Sequence, residues 1–182
     1  MIGIIGFGRF GKLAAHYLAE EFDVVVYHRT DKSGEINRTG ARAAPLETVC
    51  RQDIVIPCVP ICVLQEVLKD IAPLLRPDGL IVDVCSVKEY PVRLMTDILP
   101  HTMSILATHP MFGPDSASDS LEGRKICLCK VRIANKTYQN IKTYLESKGL
   151  VVIEATAREH DEQIATSLSL THFIGRTLSE YG

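Results

Sequence analysis

The sequence predicts an α/β protein in which a doubly wound, mainly parallel sheet is followed by a long C-terminal helix. Three observations support this prediction. Short β-branched runs alternate with helical patterns along most of the chain, which is typical of repeated βα units. A glycine-rich turn directly follows the first run, and the last segment shows helical periodicity without proline.

The predicted strands are short and apolar. They cover Ile2–Ile5, Val24–Tyr27, Ile54–Val59, Leu80–Val84, Ser104–Thr108, Ile126–Val131 and Leu150–Ile153. Between them, two apolar stripes at helical spacing predict crossover helices that pack on the sheet. The stripes are formed by Phe10, Leu13, Ala14, Tyr17 and Leu18, and by Leu64, Val67, Leu68 and Ile71, which stop before Pro73.

The chain after Ile153 predicts a single helix that runs to residue 182. Thr156 and Glu159 have the spacing of a capping box, and no proline or glycine follows until Gly175. A helix of about 25 residues is long for a globular domain. Its apolar face comprises Ile164, Leu168, Thr171, Gly175 and Leu178. We expect residues 1–155 to form one domain and 156–182 to begin a second. Either another chain covers the apolar face of this helix, as in a homodimer, or a domain is missing.

Composition narrows the class of partner. The 182 residues carry a formal charge of −2, so no basic surplus indicates nucleic acid or a membrane anchor. The longest apolar runs, such as 54–64, are too short to cross a bilayer. Six cysteines lie mostly in apolar runs, and their spacing does not predict a metal site, so buried thiols in a cytosol-like compartment are expected. A plastid stroma is the alternative if a transit peptide has been removed.

The turn after the first strand predicts a dinucleotide site. It consists of Gly6, Phe7, Gly8, Arg9, Phe10 and Gly11, in the pattern GxGxxG. The glycines allow a tight turn and the close approach of a pyrophosphate, and the following helix offers its free N–H groups. Because strand, turn, helix and second strand occur in the required order, we predict a Rossmann-type fold.

The end of the second strand indicates which dinucleotide binds. NAD sites usually carry an acidic residue there, which bonds the ribose 2′-hydroxyl. Here the strand is followed by His28, Arg29 and Thr30. A guanidinium grips a 2′-phosphate and a hydroxyl adds a bond, so NADP is predicted. NAD remains the alternative, since Asp31 is adjacent.

Polar residues at the ends of the later strands predict the rest of the site, because ligands of such sheets lie outside the carboxyl ends of the strands. The third strand leads into Cys58, Val59 and Pro60. Ser86 and Lys88 follow the fourth strand, where they can bond a hydroxyl and a carboxylate. His109 ends the fifth, and its near-neutral pKa suits proton acceptance from a carbinol.

These residues resemble the prephenate and arogenate dehydrogenases of tyrosine biosynthesis, and particularly the plant-type arogenate enzymes. The resemblance covers nearly the whole chain, and the string from Thr108 to Pro114 is its most specific motif. The segments that carry the resemblance are residues 6–11, 83–91, 108–114, 159–161 and 171–176.

The resemblance implies an oxidative decarboxylation. Hydride passes from a cyclohexadienol carbon to the nicotinamide, a histidine accepts the hydroxyl proton, and carbon dioxide leaves as the ring becomes aromatic. His109 matches the catalytic histidine, Ser86 the serine beside the hydroxyl, and His172 a histidine of the helix that lines the site. Ser169 stands where the family often has a further histidine, which the plant-type enzymes also lack.

Some expectations stay open. Asp115 or Asp119 is expected to favour arogenate, whose side chain carries an ammonium. His160 and Asp161 are interpreted as a local structural pair. Family members continue into a helical dimerisation domain, so one alternative is a chain that binds nucleotide without turnover. Another is a Rossmann-type hydroxyacid dehydrogenase, although the final helix lacks the lysine that such enzymes use.

Overall fold

The computed structural model describes residues 1–166 and 170–181, except for the side chains of 170–172. Eight strands form one sheet in the order β3-β2-β1-β4-β5-β6-β7-β8. Their bounds are β1 Ile2–Ile5, β2 Val24–Tyr27, β3 Arg42–Ala43, β4 Ile54–Pro57, β5 Leu80–Asp83, β6 Ser104–Pro110, β7 Lys125–Arg132 and β8 Val151–Glu154. The predicted doubly wound, mainly parallel sheet is confirmed, with β3 as a short edge strand that the sequence analysis missed.

The helices cover both faces of this sheet. They are α1 Arg9–Ala19, α2 Ser33–Asn37, α3 Leu46–Cys50, α4 Leu64–Ile71, α5 Glu89–Ile98, α6 Asn135–Ser147, α7 Ala157–Ile164 and α8 Leu170–Tyr181. Short 3₁₀ turns at Ile61–Val63 and Ala72–Leu74 flank α4. No helix in the described ranges is both long enough and apolar enough to span a bilayer.

The last two strands, β7 and β8, run against the other six and determine where α6 lies. β7 pairs with β6 antiparallel, whereas β7 and β8 are parallel. A right-handed connection from a reversed strand places α6 on the face opposite α4 and α5. Accordingly, Tyr138 of α6 packs with Leu106, whereas Leu68 of α4 packs with Ile105 on the other face.

The registers bring the carboxyl ends of the central strands to one edge of the sheet. Ile5 at the end of β1 pairs with Tyr27 of β2 and with Pro57 of β4. Asp83 at the end of β5 pairs with Ala107 of β6. The residues that follow these positions therefore meet at the same edge, which is where such folds bind their ligands.

The C-terminal segment is helical on both sides of residues 167–169, which lie outside the described residues, so the single long helix stays a prediction. The predicted capping box is present: the Thr156 hydroxyl accepts from the backbone N–H of Glu159, and the Glu159 carboxylate accepts from that of Thr156. The described parts of this segment are α7, Ala157–Ile164, and α8, Leu170–Tyr181. Of the expected apolar face, Leu168 and the Thr171 side chain also lie outside the described residues. The domain boundary at residue 155 stays a prediction.

Candidate active site

The glycine turn has the geometry of a close-packed cradle. Gly6 has a φ of +101°, which side-chain-bearing residues rarely adopt, and an added Cβ would lie 2.4 Å from the Cys58 carbonyl oxygen. At Gly11 a Cβ would lie 2.2 Å from the Gly6 carbonyl oxygen, so this glycine permits the helix to approach the turn. A Cβ at Gly8 would instead meet nothing within 4 Å. The space beside Gly8, at the start of α1, can therefore accommodate a pyrophosphate.

The start of α1 fits the same ligand. Gly8 is the residue before the helix and brings no side-chain cap, so the first N–H groups have no intrahelical partner. The helix dipole adds a partial positive charge there. Phe7 is buried in the core, while the Phe10 ring lies 6.4 Å from that of Phe112, centroid to centroid. Of the six turn residues, the glycines supply the cradle and the phenylalanines fix its position.

Arg9 links the turn to the loop after β6. Its guanidinium donates to both carboxylate oxygens of Asp115 at 2.6 Å, and both side chains are exposed. Asp115 is thereby partly neutralised by a nearby cation. Of the two loop acids expected to favour an ammonium, Asp115 thus already has a cationic partner, whereas Asp119 is exposed and has none among the described residues.

The end of β2 presents an exposed cation, the guanidinium of Arg29. Among the described residues, no hydrogen bond or ion pair engages the exposed Arg29 guanidinium. The carboxylate of Asp31, by contrast, accepts from the backbone N–H of Ser33 at 2.9 Å. The Thr30 hydroxyl lies 3.0 Å from Nδ1 of His28. Asp31 is therefore engaged at the start of α2, which leaves Arg29 available for an anion.

The segment after β4 forms the opposite wall of the cradle. The backbone N–H of Cys58 donates to the Ile5 carbonyl at 2.7 Å, which holds Cys58, Val59 and Pro60 against the glycine turn. Burial, assisted by the neighbouring Cys85, raises the pKa of the Cys58 thiol to about 12. Cys58 therefore acts as packing. Of the expected buried thiols, Cys62 is exposed instead.

His109 is the first member of a chain of three side chains, and the other two belong to α7. Its Nδ1 lies 2.9 Å from Nε2 of His160, and Nδ1 of His160 lies 2.7 Å from a carboxylate oxygen of Asp161. Both histidines are nearly inaccessible to solvent, at 9% and 3% exposed. Asp161 also accepts from the backbone N–H groups of Lys88 and Glu89 at 2.7 and 2.9 Å. The Asp161 carboxylate thus holds α7 to the start of α5.

The near-neutral pKa expected for His109 does not fit its environment, which lowers that pKa and keeps the imidazole neutral. Burial first, and then the proximity of His160 and Lys88, lower the pKa of His109 from 6.5 to about 4, and Asp161 only partly opposes them. Burial pushes the pKa of Asp161 upward, but the N–H of Glu89, the His160 ring and the N–H of Lys88 bring it below its usual value. At neutral pH, His109 is therefore a neutral imidazole and Asp161 an ionised carboxylate.

The expectation that Lys88 binds a substrate carboxylate does not fit its position. Lys88 is completely buried, and its ammonium donates to both oxygens of Asp83 at 2.6 and 2.8 Å and to the Thr108 carbonyl. Burial raises the pKa of Asp83, and the ammonium of Lys88 opposes that shift. A buried carboxylate without its cation is costly, so the ammonium of Lys88 stays paired with Asp83 and does not turn toward a substrate. Lys88 supports β5 and β6 from within.

Ser86 lies at the carboxyl end of β5. It is exposed and follows β5, the strand that pairs with β6, so Ser86 and His109 share the carboxyl edge of neighbouring strands. The backbone of His172 belongs to α8, but its side chain is outside the described residues, as is Ser169.

The interpretation of His160 and Asp161 as only a local pair is wrong, because His160 also contacts His109, 51 positions away. Two features of the sequence single out His160, although neither predicts its contact with His109. The capping box places His160 in the first turn of a helix, and the resemblance includes residues 159–161. The two histidines meet because α7 packs against the start of α5, and neither feature predicts that packing.

Comparison with known proteins identifies related sequences. The family described as prephenate dehydrogenase, nucleotide-binding domain, matches residues 19–154. Arogenate dehydrogenase 2, chloroplastic, of Arabidopsis thaliana is 36% identical over all of this chain and 53% of its own length. A probable arogenate/prephenate dehydrogenase of Methanocaldococcus jannaschii is 32% identical over 93% of this chain and 40% of its own. The chain spans about half or less of these relatives.

Solved structures show the same fold. Prephenate dehydrogenase from Aquifex aeolicus superposes with a TM-score of 0.83 and 22% identity, over 100% of this chain and 71% of that one. Synechocystis arogenate dehydrogenase gives 0.72 and 22%, over 90% and 62%. The predicted resemblance is confirmed by the sequence match over 19–154, and the chain belongs to the prephenate dehydrogenase family, whose nucleotide-binding domain it contains.

Proposed function

We propose that the protein catalyses the NADP-dependent oxidative decarboxylation of arogenate, with prephenate as the alternative substrate. One observation carries the proposal: a buried, neutral imidazole, His109, lies at the same sheet edge as a glycine cradle that fits a pyrophosphate. A nicotinamide dinucleotide laid across this edge would approach His109 and Ser86. The relatives named above are dehydrogenases of these two substrates.

Each residue of the edge has a chemical role in this proposal. The bound nicotinamide supplies the acceptor for the hydride that leaves the substrate. His109 accepts the proton of the ring hydroxyl, which favours departure of the hydride from the same carbon. Ser86 holds that hydroxyl or the cofactor carboxamide, and His172 binds the substrate from α8. Cleavage of the bond to the ring carboxylate then releases carbon dioxide and makes the ring aromatic.

The choice of NADP rests on Arg29. Its guanidinium has no partner among the described residues, and the neighbouring Asp31 carboxylate is bonded to Ser33, which favours a ligand that carries a 2′-phosphate. Loss of a charge-assisted pair costs about 1.5–3 kcal/mol, or about 10- to 100-fold in affinity. Titration of both cofactors against wild type, Arg29→Ala and the exposed control Arg51→Ala tests this. An unchanged NADP preference in Arg29→Ala would remove Arg29 from the proposal.

The whole proposal is tested by the rate of NADPH formation with arogenate and with prephenate. We expect turnover with wild type and its loss in His109→Gln, which keeps a polar group of similar size. The exposed His101→Gln serves as control. Binding of NADP without turnover of either substrate would support the alternative of a nucleotide-binding chain.

We also propose a homodimer formed through α8, in the cytoplasm or the plastid stroma. Phe173, Ile174 and Leu178 on this helix are between 48% and 69% exposed, which is unusual for large apolar side chains on one helix of a monomer. A second copy would bury this face.

A further inference from the structure

We propose that His160 and Asp161 extend His109 into a three-residue proton relay, in which His160 receives a proton from His109 as His109 takes one from the substrate, and later returns it. This inference rests on the proposed function, because the proton comes from the substrate hydroxyl. It is carried by the contacts from His109 to His160 and from His160 to Asp161, at 2.9 and 2.7 Å.

The direction of the relay begins at Asp161. Its carboxylate accepts two backbone N–H groups, from Lys88 and Glu89. These donors and the His160 ring hold Asp161 in its ionised, acceptor-only form. The nitrogen of His160 that faces it, Nδ1, must therefore carry a proton. In a neutral His160 the other nitrogen, Nε2, is then a bare acceptor.

The same logic fixes the tautomer of His109. Because Nε2 of His160 accepts, Nδ1 of His109 must be the donor across their 2.9 Å contact. A neutral His109 then has its lone pair on Nε2. No hydrogen bond to Nε2 of His109 is found among the described residues. The relay at rest thus presents a proton acceptor, which is the form that oxidation of a carbinol requires.

The proton steps balance in both directions. The substrate O–H bond breaks and its proton joins Nε2 of His109, while the Nδ1 proton of His109 moves to Nε2 of His160. The hydride leaves to the nicotinamide, which is the oxidant. After the bond to the carboxylate breaks, its electron pair enters the ring and places negative charge on the oxygen. That oxygen takes the proton back from Nε2 of His109, while Nε2 of His160 returns its proton to Nδ1 of His109, and the relay is again at rest.

Charge around the relay favours storage at His160 over storage at His109. The groups that act on His109 are Lys88 at the start of α5 and His160 and Asp161 on α7. The Lys88 ammonium, although paired with Asp83, disfavours a second cation at His109. A cation at His160 is in direct contact with the Asp161 carboxylate. The positive charge is therefore better placed one residue further from the substrate.

The tautomer is tested without substrate, by long-range ¹H–¹⁵N NMR of the histidine rings in the wild-type chain at neutral pH. We expect a protonated Nδ1 and a bare Nε2 for His109, assigned by comparison with His109→Gln. The reverse tautomer would overturn the relay. This result does not depend on turnover, so it is distinguishable from a failure of the proposed function.

Two variants separate storage of a proton from mere positioning. The amide of His160→Gln can donate to Asp161 and accept from His109, but it cannot hold an extra proton. His160→Leu removes both contacts. We expect His160→Gln to keep the His109 tautomer and NADP affinity but to lose about 10²-fold in kcat, the usual contribution of one acid–base group. Wild-type kcat and an unchanged pH profile in His160→Gln would show positioning alone and would overturn the relay.

Discussion

Acid sensitivity of the fold follows from the neutral state of His109, and His109→Gln is the variant that removes it. In the unfolded chain this imidazole has its ordinary pKa of 6.5, whereas in the folded protein the pKa is about 4. Between these two values the unfolded chain binds a proton at this site and the folded chain does not. Stability contributed by His109 is therefore present above pH 6.5 and is lost as the pH falls toward 4.

The magnitude follows from the same two values. Each unit of difference between the two pKa values corresponds to about 1.36 kcal/mol. Lowering the pH from 6.5 to about 4 therefore removes about 3 kcal/mol of unfolding free energy. The loss is large for a domain whose total stability is about 5–15 kcal/mol. Other groups also titrate in this window, so the quantity to compare is the difference between two variants at each pH.

Urea denaturation at several pH values between 7.5 and 4 measures this difference. We expect the curve of unfolding free energy against pH to be steeper for wild type than for His109→Gln. The difference in unfolding free energy between the two proteins should shrink by about 3 kcal/mol as the pH falls from 6.5 to about 4. The exposed His101→Gln should follow wild type. Parallel curves for wild type and His109→Gln would refute the account of a neutral, buried His109.

Three further predictions concern other parts of the molecule. Lys88→Met leaves the Asp83 carboxylate buried and without its cation, and should lower the free energy of unfolding in urea by about 3–5 kcal/mol. Lys88→Met/Asp83→Leu should recover part of this loss, and a loss below about 1 kcal/mol in Lys88→Met would contradict the buried ion pair. Sedimentation at tens of micromolar should show self-association that Phe173→Ser/Leu178→Ser abolishes, and a strictly monomeric wild type would exclude the dimer through α8. Asp119→Asn should lower the ratio of kcat/KM for arogenate to that for prephenate, with the Arg9-paired Asp115→Asn as comparison; an unchanged ratio in both would place the discrimination elsewhere.

The fold was largely predictable from local sequence. The β-branched runs and the GxGxxG turn locate the strands and the cradle, because each depends on neighbouring residues. The edge strand β3 was missed because only Arg42 and Ala43 form it, and both are exposed. The two-residue strand gives neither an apolar run nor an alternation to detect.

The site was predictable only in part. The positions of Ser86 and His109 follow from strand order, since both succeed apolar runs that end at one edge. The partner of Lys88 does not follow, because the chain turns between Asp83 and Lys88 and directs the ammonium inward. The contact of His109 with His160 also depends on how α7 packs on α5, which no local pattern encodes.

The central claim is that His109 accepts a substrate proton while NADP is reduced and carbon dioxide is released. Its most direct measurement is NADPH and carbon dioxide formed together when the chain, saturated with NADP, is mixed with arogenate. We predict one NADPH for each carbon dioxide with wild type, and a loss of about 10²- to 10⁴-fold in both rates with His109→Gln. Equal rates in the two proteins, or carbon dioxide released without NADPH, would contradict the account.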